Sequence, residues 1–464
     1  MAASTLSIGT TTYDLLEALE LDGATVSKSG KSYSIKSKEA IENLSINSEG
    51  VNDPTLGQDS SSNINIFAGL ENFQASLGKG GDSLNIFGNV EGGRFELDDS
   101  SYSDIGADFL SIQGNLTKGS AVIDSQGDIG RTEINRIYAG GGNDTIRIAK
   151  NVEDAFIYLG SGNDSLTISG NSKRLDVKGD AGNDYIEFRG TAGDLYEGGV
   201  RVQAGENNDT VVFRDLFAGS SESEEYLSGE QFFGDRDDEI SDPGTSAVDL
   251  GSGYDSLVIA RGASNVDVNT GSGRDTVSLS GSYDNVRFHL DGLALGRDGN
   301  PTDQGFNTGG DRISSSNGGS FTNSVFTSNN TLGDTLIFGS GTLFDESQIY
   351  TSNNSQYLAA DLGNDSLVFG TASFNNSVLS TGYGADTIVF GANSVFNYLS
   401  INLGNDESND VIRFAAGTEF DGIEISGANT NDVLWVGTTS YNYNSDGNGN
   451  DNGLHIGSSF WRQA

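Results

Sequence analysis

Cysteine is absent from the 464 residues, and the chain has only three prolines and two histidines. Without cysteine there is no disulfide framework, no thiol chemistry and no zinc–thiolate site. The two histidines, His289 and His455, are not part of an HExxH motif, which excludes a zinc protease of that type. No GxSxG turn stands in a strand–turn–helix setting with a triad, so a lipase is not indicated either.

Long apolar runs and basic residues are also scarce. No stretch of 18 apolar residues is present, so no segment is expected to span a membrane. Met1 to Tyr13 has no basic region followed by an apolar one, so no cleaved signal peptide is expected. The 66 acidic residues against 25 basic ones give a net charge of -41, which opposes binding to nucleic acid or anionic lipid.

The chain is instead rich in glycine and contains a repeat that argues against disorder. The stretch Ala139 to Phe188 reads AGGGNDTIRI, LGSGNDSLTI and GDAGNDYIEF, with Asp144, Asp164 and Asp184 each 20 residues apart. The second and fourth residues after each aspartate are apolar, which is typical of a strand with one buried face. Glycines before the aspartate allow a tight turn whose carbonyl groups can point at a ligand. A turn, a carboxylate and a short strand at a fixed period predict a solenoid.

The same pattern recurs along most of the chain. It occurs thirteen times, each time with apolar residues at both positions after the aspartate, at Asp82, Asp108, Asp144, Asp164, Asp184, Asp209, Asp255, Asp275, Asp334, Asp365, Asp386, Asp410 and Asp432. A second apolar pair often precedes the turn, as in Leu175 and Val177. Each rung is therefore expected to hold two short parallel strands joined by two turns.

Three regions follow from the extent of the repeat. Residues 1–62 are expected to form an N-terminal cap with short helices at Thr10–Leu21 and Lys38–Leu44. Residues 63–436 are expected to form an all-β parallel β-roll or β-solenoid with rungs of about 20 residues. Two insertions, 214–250 and 291–331, are expected to be loops. Residues 437–464 are expected to form a tail that covers the last rung poorly.

The repeat resembles the RTX, or haemolysin-type, calcium-binding repeat, whose consensus is GGxGxDxUx with U a large apolar residue. Six copies keep the GxGxD core, among them AGGGNDTIR and LGSGNDSLT. The resemblance implies a parallel β-roll in which glycine carbonyls and aspartates of neighbouring rungs hold Ca²⁺. It covers roughly Leu77 to Val436. It implies as ligands the following residues: Asp82, Gly140, Gly142, Asp144, Gly160, Gly162, Asp164, Gly182, Asp184, Asp209, Gly251, Gly253, Asp255, Gly271, Gly273, Asp275, Asp365, Gly382, Gly384, Asp386 and Asp410.

The repeat also departs from the family pattern. The family repeats its nonapeptide back to back, whereas here one motif occurs about every 20 residues. Calcium is therefore expected along one edge only, with GN, GS and GT turns along the other. The copies at Asp334 and Asp432 have lost most glycines and are expected to be empty. An alternative without metal is that the aspartates form Asx turns with their own backbone.

Carboxylates stacked about 4.8 Å apart in successive rungs repel one another, and a divalent cation between them removes that repulsion. Oxygen ligands without cysteine favour Ca²⁺ over zinc or copper.

Two other functions depend on residues outside the aspartate column. A polysaccharide lyase or epimerase would need a cluster such as Tyr283, Arg287 and His289, which is more often ordinary strand surface. Ice binding would need one residue type at one position in every rung. The position three before the aspartate holds Lys79, Gly141, Ser161, Ala181, Ser252, Ser272 and Tyr383. The chain is therefore not expected to be an enzyme, and ice binding is not favoured.

The expected function is that of a secreted, calcium-binding structural protein that self-assembles at the cell surface as a surface layer or filament. The alternative is a secreted adhesin that binds a carbohydrate, and a cell-surface polysaccharide is a candidate partner in either case. The resemblance implies type I secretion with an uncleaved C-terminal signal, for which Gly453 to Ala464 is the candidate. Assembly is expected through an open end of the solenoid, with Ca²⁺ shared across the acidic loop Ser220 to Asp242.

Overall fold

The computed structural model describes most of the chain between Thr5 and Gln463. The described ranges are 5–8, 11–14, 20–21, 24–29, 32–42, 44–47, 63–77, 80–98, 106–118, 121–123, 129–132, 135–194, 198–219, 246–290, 310–328, 332–351, 363–404, 406–444 and 453–463. Within these ranges the protein is all-β, as expected, and contains no helix. The helices predicted near the N-terminus are wrong where they are described, because Thr11–Asp14 and Ile41–Glu42 are strands.

The chain divides into two compact units, Met1–Ser220 with Glu239–Ser246, and Ser221–Asp238 with Ala247–Ala464. The strands of the first unit are β1 Thr5–Ile8, β2 Thr11–Asp14, β3 Glu20–Leu21, β4 Ala24–Ser29, β5 Ser32–Ser37, β6 Ile41–Glu42, β7 Leu44–Asn47, β8 Asn63–Phe67, β9 Leu70–Ser76, β10 Ser83–Ile86, β11 Val90–Glu96, β12 Phe109–Ile112, β13 Leu116–Thr117, β14 Ala121–Ile123, β15 Ile129–Thr132, β16 Asn135–Gly141, β17 Thr145–Ile148, β18 Val152–Ser161, β19 Ser165–Ile168, β20 Ser172–Ala181, β21 Tyr185–Phe188, β22 Val200–Glu206, β23 Thr210–Phe213 and β24 Phe217–Ala218.

The strands of the second unit, the first of which begins at Ser246, are β25 Ser246–Gly253, β26 Ser256–Ile259, β27 Gly262–Asn269, β28 Ser272–Gly273, β29 Thr276–Leu279, β30 Ser282–Leu290, β31 Arg312–Ser315, β32 Ser320–Thr322, β33 Val325–Ser328, β34 Thr335–Phe338, β35 Thr342–Asp345, β36 Gln348–Tyr350, β37 Ser366–Phe369, β38 Ala372–Ser380, β39 Thr387–Phe390, β40 Val395–Asn402, β41 Val411–Phe414, β42 Ile423–Ser426, β43 Val433–Val436, β44 Thr439–Tyr443, β45 Gly453–Ile456 and β46 Ser459–Gln463.

Each unit has two main sheets. Sheet 1 contains the longer strands, such as β18 and β20, and sheet 2 contains four-residue strands, such as β17, β19 and β21. One rung passes from a strand of sheet 1 through a glycine–aspartate corner into a strand of sheet 2, then through a second corner. Neighbouring rungs pair in parallel and in register, so that Leu166 lies beside Ile146 on one side and Ile186 on the other. A separate two-stranded sheet joins β14 and β15.

The core lies between the two sheets and is built by alternation of inward and outward residues along most strands. In sheet 2 the inward residues of the earlier rungs are aliphatic, as with Leu166 and Ile168, which are fully buried. Phenylalanine enters at the end of the first unit, where Phe188 and Phe213 stack 5.0 Å apart, and it is frequent in the later rungs of the second unit. Phe344 and Phe374 stack with their ring centroids 5.0 Å apart, and Phe369 meets Phe374 edge to face at 5.1 Å. Two columns of rings therefore interlock across the second core, which adds aromatic pairing to burial.

A left-handed residue bends the strand of sheet 1 in most described rungs, a feature that the repeat did not predict. Asn265 and Asn285 occupy equivalent positions in neighbouring rungs, with φ of 53° and 52°. The same column continues to a glutamate and a tyrosine, Glu346 at 50° and Tyr398 at 64°. Asparagine tolerates this conformation better than most residues, which explains its frequency there.

Both ends of the repeat are covered by antiparallel strands. At the N-terminal end β4 pairs antiparallel with β5, the first strand in parallel register with the rungs that follow. At the C-terminal end β44 pairs antiparallel with the last four-residue strand, β43. Trp461 on β46 is fully buried, and Phe460 and Ile456 are buried with it. The tail is thus a hydrophobic cap, contrary to the expectation of an open end.

One rung lies inside the predicted insertion 291–331. Strand β31, Arg312–Ser315, pairs in parallel with β29 and with β34, so this part of the insertion continues sheet 2. The acidic segment Ser220 to Asp242, by contrast, lies outside the described residues, which end at Gly219 and resume at Ser246.

In the part of the chain that the structure describes, no helix is long and apolar enough to cross a membrane.

The C-terminal cap gives a first prediction. Replacing Trp461 by alanine removes a fully buried ring and should lower the free energy of unfolding by about 3–5 kcal/mol. Trp435→Ala is the matched control, because Trp435 is only partly buried and should cost about 1 kcal/mol or less. Urea unfolding followed by circular dichroism measures both. Equal effects of the two substitutions would contradict the cap.

Candidate functional site

The first corner of each rung holds a buried aspartate. Thirteen of these positions are the aspartates of the repeat, and a fourteenth is Asp311. Each is at most 3 % exposed and lies in the corner between sheets 1 and 2, with or without a full glycine turn before it. The aspartates form one column in each unit, which we call the aspartate column.

Successive aspartates are joined by a hydrogen bond from backbone to side chain. The N–H of Asp144 donates to Oδ1 of Asp164 over 2.7 Å, and the N–H of Asp164 donates to Oδ1 of Asp184 over 2.8 Å. The column runs from Asp82 to Asp209 in the first unit and from Asp255 to Asp432 in the second, with N–O distances of 2.6–2.9 Å. The carboxylate therefore bonds the backbone of the preceding rung, which is not the Asx turn considered from the sequence.

The second carboxylate oxygen is buried, and in seven of the described aspartates it accepts no hydrogen bond from the described protein. These are Oδ2 of Asp108, Asp144, Asp164, Asp184, Asp275, Asp386 and Asp410. At Asp184, Oδ2 lies close to the backbone of Gly179, at the start of the same corner. A Cβ added to Gly179 would lie only 2.5 Å from this oxygen. Buried polar atoms normally have partners, so a column of such oxygens indicates that another group belongs in the corner.

Burial controls the protonation of these carboxyl groups. Desolvation raises the pKa of Asp108 to about 9 and that of Asp144 to about 8, although the hydrogen bond from the preceding backbone N–H lowers both. Neighbouring carboxylates raise the values further. Burial likewise raises the pKa of Asp386 to about 9 and that of Asp410 to about 7. Near pH 7 the most strongly shifted members, such as Asp108 and Asp144, would hold a proton in the absence of a cation, whereas Asp164, whose pKa burial raises only to about 6, would be mostly ionised.

The predicted glycines line the same corners in left-handed conformations. Gly140, Gly160 and Gly162 have φ of 103°, 101° and 133°. The same range, 79° to 159°, holds for the others predicted: Gly142, Gly182, Gly251, Gly253, Gly271, Gly273, Gly382 and Gly384. A Cβ on Gly162 would lie 1.5 Å from the carbonyl oxygen of Gly142. The glycine carbonyl thus points at the next rung, and only glycine leaves room for it.

The ten predicted carboxylates all lie in the aspartate column, together with four that were not predicted as ligands. Asp108, Asp334 and Asp432 belong to repeats that were judged degenerate or empty, and Asp311 was missed. The sequence signals for Asp311 are Gly309 and Gly310 directly before it and the apolar Ile313 two residues later, without the full GxGxD turn. Asp98, which was also not predicted, lies outside the aspartate column, at the position in the preceding rung that corresponds to Gly140. Its carboxylate accepts the N–H of Gly141 over 2.7 Å.

The donor set limits what the corners could bind. Among the described residues no group of three or more His, Cys, Asp or Glu side chains converges as a metal site. A cation in a corner would therefore take carboxylates from neighbouring rungs and most of its ligands from backbone carbonyls. Ca²⁺ accepts six to eight oxygens of both kinds, in flexible geometry. The corners fit it by their oxygen donors, their buried Oδ2 atoms and the space that glycine leaves.

At the opposite corner of rungs in the first unit, uncharged asparagine side chains accept the backbone N–H groups of the neighbouring rung. The N–H of Asn171 donates to Oδ1 of Asn151 over 3.0 Å, and Thr191 continues the series at 3.1 Å. The amide satisfies the backbone and carries no charge that requires neutralisation.

The residues considered for catalysis are not brought together. Tyr283 is buried in the core, where its hydroxyl donates to the carbonyl of Ile259 over 3.1 Å. Arg287 and His289 lie on the other side of β30, and Nδ1 of His289 is 2.9 Å from Oγ1 of Thr327.

Comparison with protein-family models, curated proteins and solved structures gave no match for this chain.

The glycine corners give a second prediction. Gly162→Ala places a Cβ against the carbonyl oxygen of Gly142 and should destabilise the protein by about 3 kcal/mol or more. Gly318→Ala is the control, since Gly318 has a φ of +76° but no atom within 4 Å of its Cβ position. It should cost only the backbone strain, about 1 kcal/mol. Urea midpoints compare the two, and equal losses would show that rung stacking is not the reason for glycine.

The raised pKa values give a third prediction, for protein in excess chelator. Unfolded aspartates titrate at about 3.9, whereas the pKa of folded Asp144 is about 8 and that of Asp108 about 9. The folded state binds more protons between these values. Its stability should be complete below about pH 4 and should fall as the pH rises toward 9. Thermal unfolding across this range tests the sign. A melting temperature that rises with pH in chelator would contradict it.

Proposed function

We propose that the protein is a calcium-binding structural protein of the RTX type, which folds outside the cell and assembles with copies of itself at the cell surface. The observation that carries the proposal is the aspartate column, in which buried carboxylates succeed one another from rung to rung while Oδ2 atoms such as those of Asp144 and Asp164 accept no hydrogen bond from the described protein. The resemblance of the repeat to RTX sequences supports the same conclusion independently of these contacts.

Calcium explains the column better than protons do. A protonated carboxyl group has an O–H that needs an acceptor, and the buried Oδ2 atoms have none in the described protein. A divalent cation neutralises two neighbouring carboxylates and accepts oxygen ligands only. The absence of cysteine removes the ligand that would favour zinc or copper.

The residues that would hold the ion are the column aspartates and the glycine carbonyls of the same corners. In the first unit these are Asp144 and Asp164 with the carbonyls of Gly140, Gly142 and neighbouring turns. Bound calcium supplies positive charge between rungs. The chain itself supplies the rest: the sheets fix the rung spacing, the backbone N–H groups orient Oδ1, and the glycines leave room beside Oδ2.

Location and assembly follow from the dependence on calcium. Carboxylates that cannot be neutralised oppose folding, so the folded chain is expected to be much less stable where calcium is scarce, as in the cytosol, than where it is plentiful. That behaviour suits type I secretion of an unfolded chain. Calcium-stiffened rungs whose first and last strands are covered by antiparallel strands are suited to a structural role in a surface layer or filament.

The fourth prediction uses a substitution whose sign reverses with calcium. Asp144→Asn keeps an oxygen that can accept the N–H of Asp108 but removes the buried charge. In chelator at pH 8 the variant should be as stable as the wild type or more so, by about 1 kcal/mol. In millimolar calcium it should be less stable, by about 2 kcal/mol or more, because one ligand is lost. Circular dichroism during calcium titration and urea unfolding gives both values.

Glu91→Gln is the control, since Glu91 is exposed on β11 and lies outside the corners. It removes the same charge and should change stability by less than about 0.5 kcal/mol in either condition. If the wild type has the same spectrum and melting temperature in chelator and in calcium, the calcium proposal fails. An Asp144→Asn effect of one sign in both conditions would also count against it.

A further inference from the structure

The outer side of sheet 2 in the second unit is a strip of residues without acidic side chains. The strip comprises the outward-facing residues of β26, β29, β31, β34, β37, β39, β41 and β43, which alternate with the buried core residues. Its centre contains Thr335, Ile337, Ser366, Val368, Thr387 and Val389, all partly exposed and in register across three neighbouring strands. β-branched and hydroxyl side chains at this spacing form a smooth surface with little net polarity.

The charge of the strip differs from that of the rest of the molecule. The chain carries 66 acidic residues, yet no outward position of these eight strands holds one. The outer side of sheet 1 in the same unit does carry them, including Asp267, Asp284, Glu346 and Glu424. The charged outward residues of the strip are Arg312 and Arg413, and the Arg413 guanidinium lies 5.1 Å from the ring centroid of Trp435. Acidic residues are therefore excluded from one side of the unit rather than from its sheets in general.

The absence of acidic side chains from the strip favours a second copy of this chain as its partner. Because the net charge is -41, two copies of this chain repel one another wherever acidic surfaces meet. They can approach closely where both surfaces lack acidic groups. A flat sheet face of Val, Ile, Thr and Ser packs well on an identical face, at the sheet spacing of about 10 Å.

The size of the strip sets the strength of the contact. Eight strands about 4.8 Å apart and four residues long give an area of roughly 34 by 13 Å. Two such surfaces would bury close to the lower limit for a specific interface, about 1,000 Å² in total. The contact is therefore expected to be reversible and to depend on protein concentration.

We propose that this strip is a homodimer interface, in which sheet 2 of the second unit packs face to face on the same sheet of a second copy. The proposal names the contact for the assembly part of the proposed function and rests on that part alone, not on calcium binding. It also replaces the open end expected from the sequence, because antiparallel strands cover both ends of the repeat.

The test compares two substitutions in one rung. Val368→Asp puts a carboxylate at the centre of the strip, whereas Val378→Asp puts the same change on the outer side of sheet 1, beside Ser400 and in the row that holds Asp267 and Glu424. Both valines are partly exposed, so both variants should fold. The full-length wild type and both variants are examined by sedimentation over a range of concentrations around 10 µM, in calcium and in chelator, with circular dichroism on the same samples.

The wild type in calcium should approach twice 48.6 kDa, Val368→Asp should dimerise about 100-fold more weakly, and Val378→Asp should match the wild type. A folded wild type that stays at 48.6 kDa overturns the interface while leaving calcium binding intact. A dimer that both variants keep, or that both lose, overturns it as well, because the contact then lies elsewhere. A dimer that persists in chelator and is lost in Val368→Asp supports the interface even if calcium binding fails.

Discussion

The stacking of buried carboxylates in one corner of each rung is the constraint on which this fold depends. Parallel rungs repeat every 4.8 Å or so, and any side chain at a given position meets its own copy in the next rung. An aspartate at a buried position therefore meets another aspartate, and the repulsion recurs along each unit. The backbone answers with one hydrogen bond to each carboxylate, as from Asp144 to Asp164. The remaining oxygen is the one that the proposed cation would bind.

The two corners of a rung show that the charge is not needed for turning the chain. The side-chain oxygens of Asn151 and Asn171 accept backbone N–H groups of the next rung, much as the aspartates accept those of the preceding one. An amide carries no charge, so no buried group has to change its protonation state. Had the fold required only a polar ladder, asparagine would have sufficed on both edges. The architecture alone therefore does not explain the charge of the aspartates, since a buried charge without a counter-ion destabilises a protein, and the proposed calcium sites would supply that counter-ion.

The periodic parts of the structure could be predicted from the sequence because each rung repeats the same local rule. Alternation located the core of β17, β19 and β21, and the glycine–aspartate pattern located ten members of the column. Elements without a repeated signal were missed. Asp311 lacks the full glycine turn, and the left-handed residue at Asn265 and Asn285 belongs to no motif that single positions reveal. The segment Thr10–Leu21 has a helical spacing of leucines, yet its described parts, Thr11–Asp14 and Glu20–Leu21, are strands, since strand pairing outweighs that preference there.

The hydrogen bonds of the column all run in the same direction along the chain, which favours one order of rung formation in the second unit. Each aspartate N–H is satisfied by a carboxylate that comes later in the chain, and the series ends at Asp432, whose carboxylate is held locally by the N–H of Asn429 over 2.6 Å. A rung that adds to the N-terminal side of folded rungs finds the acceptor for its aspartate N–H already in place, whereas a rung that adds to the C-terminal side does not. Growth of the column from the C-terminal cap toward the N-terminus therefore satisfies each aspartate N–H as its rung forms.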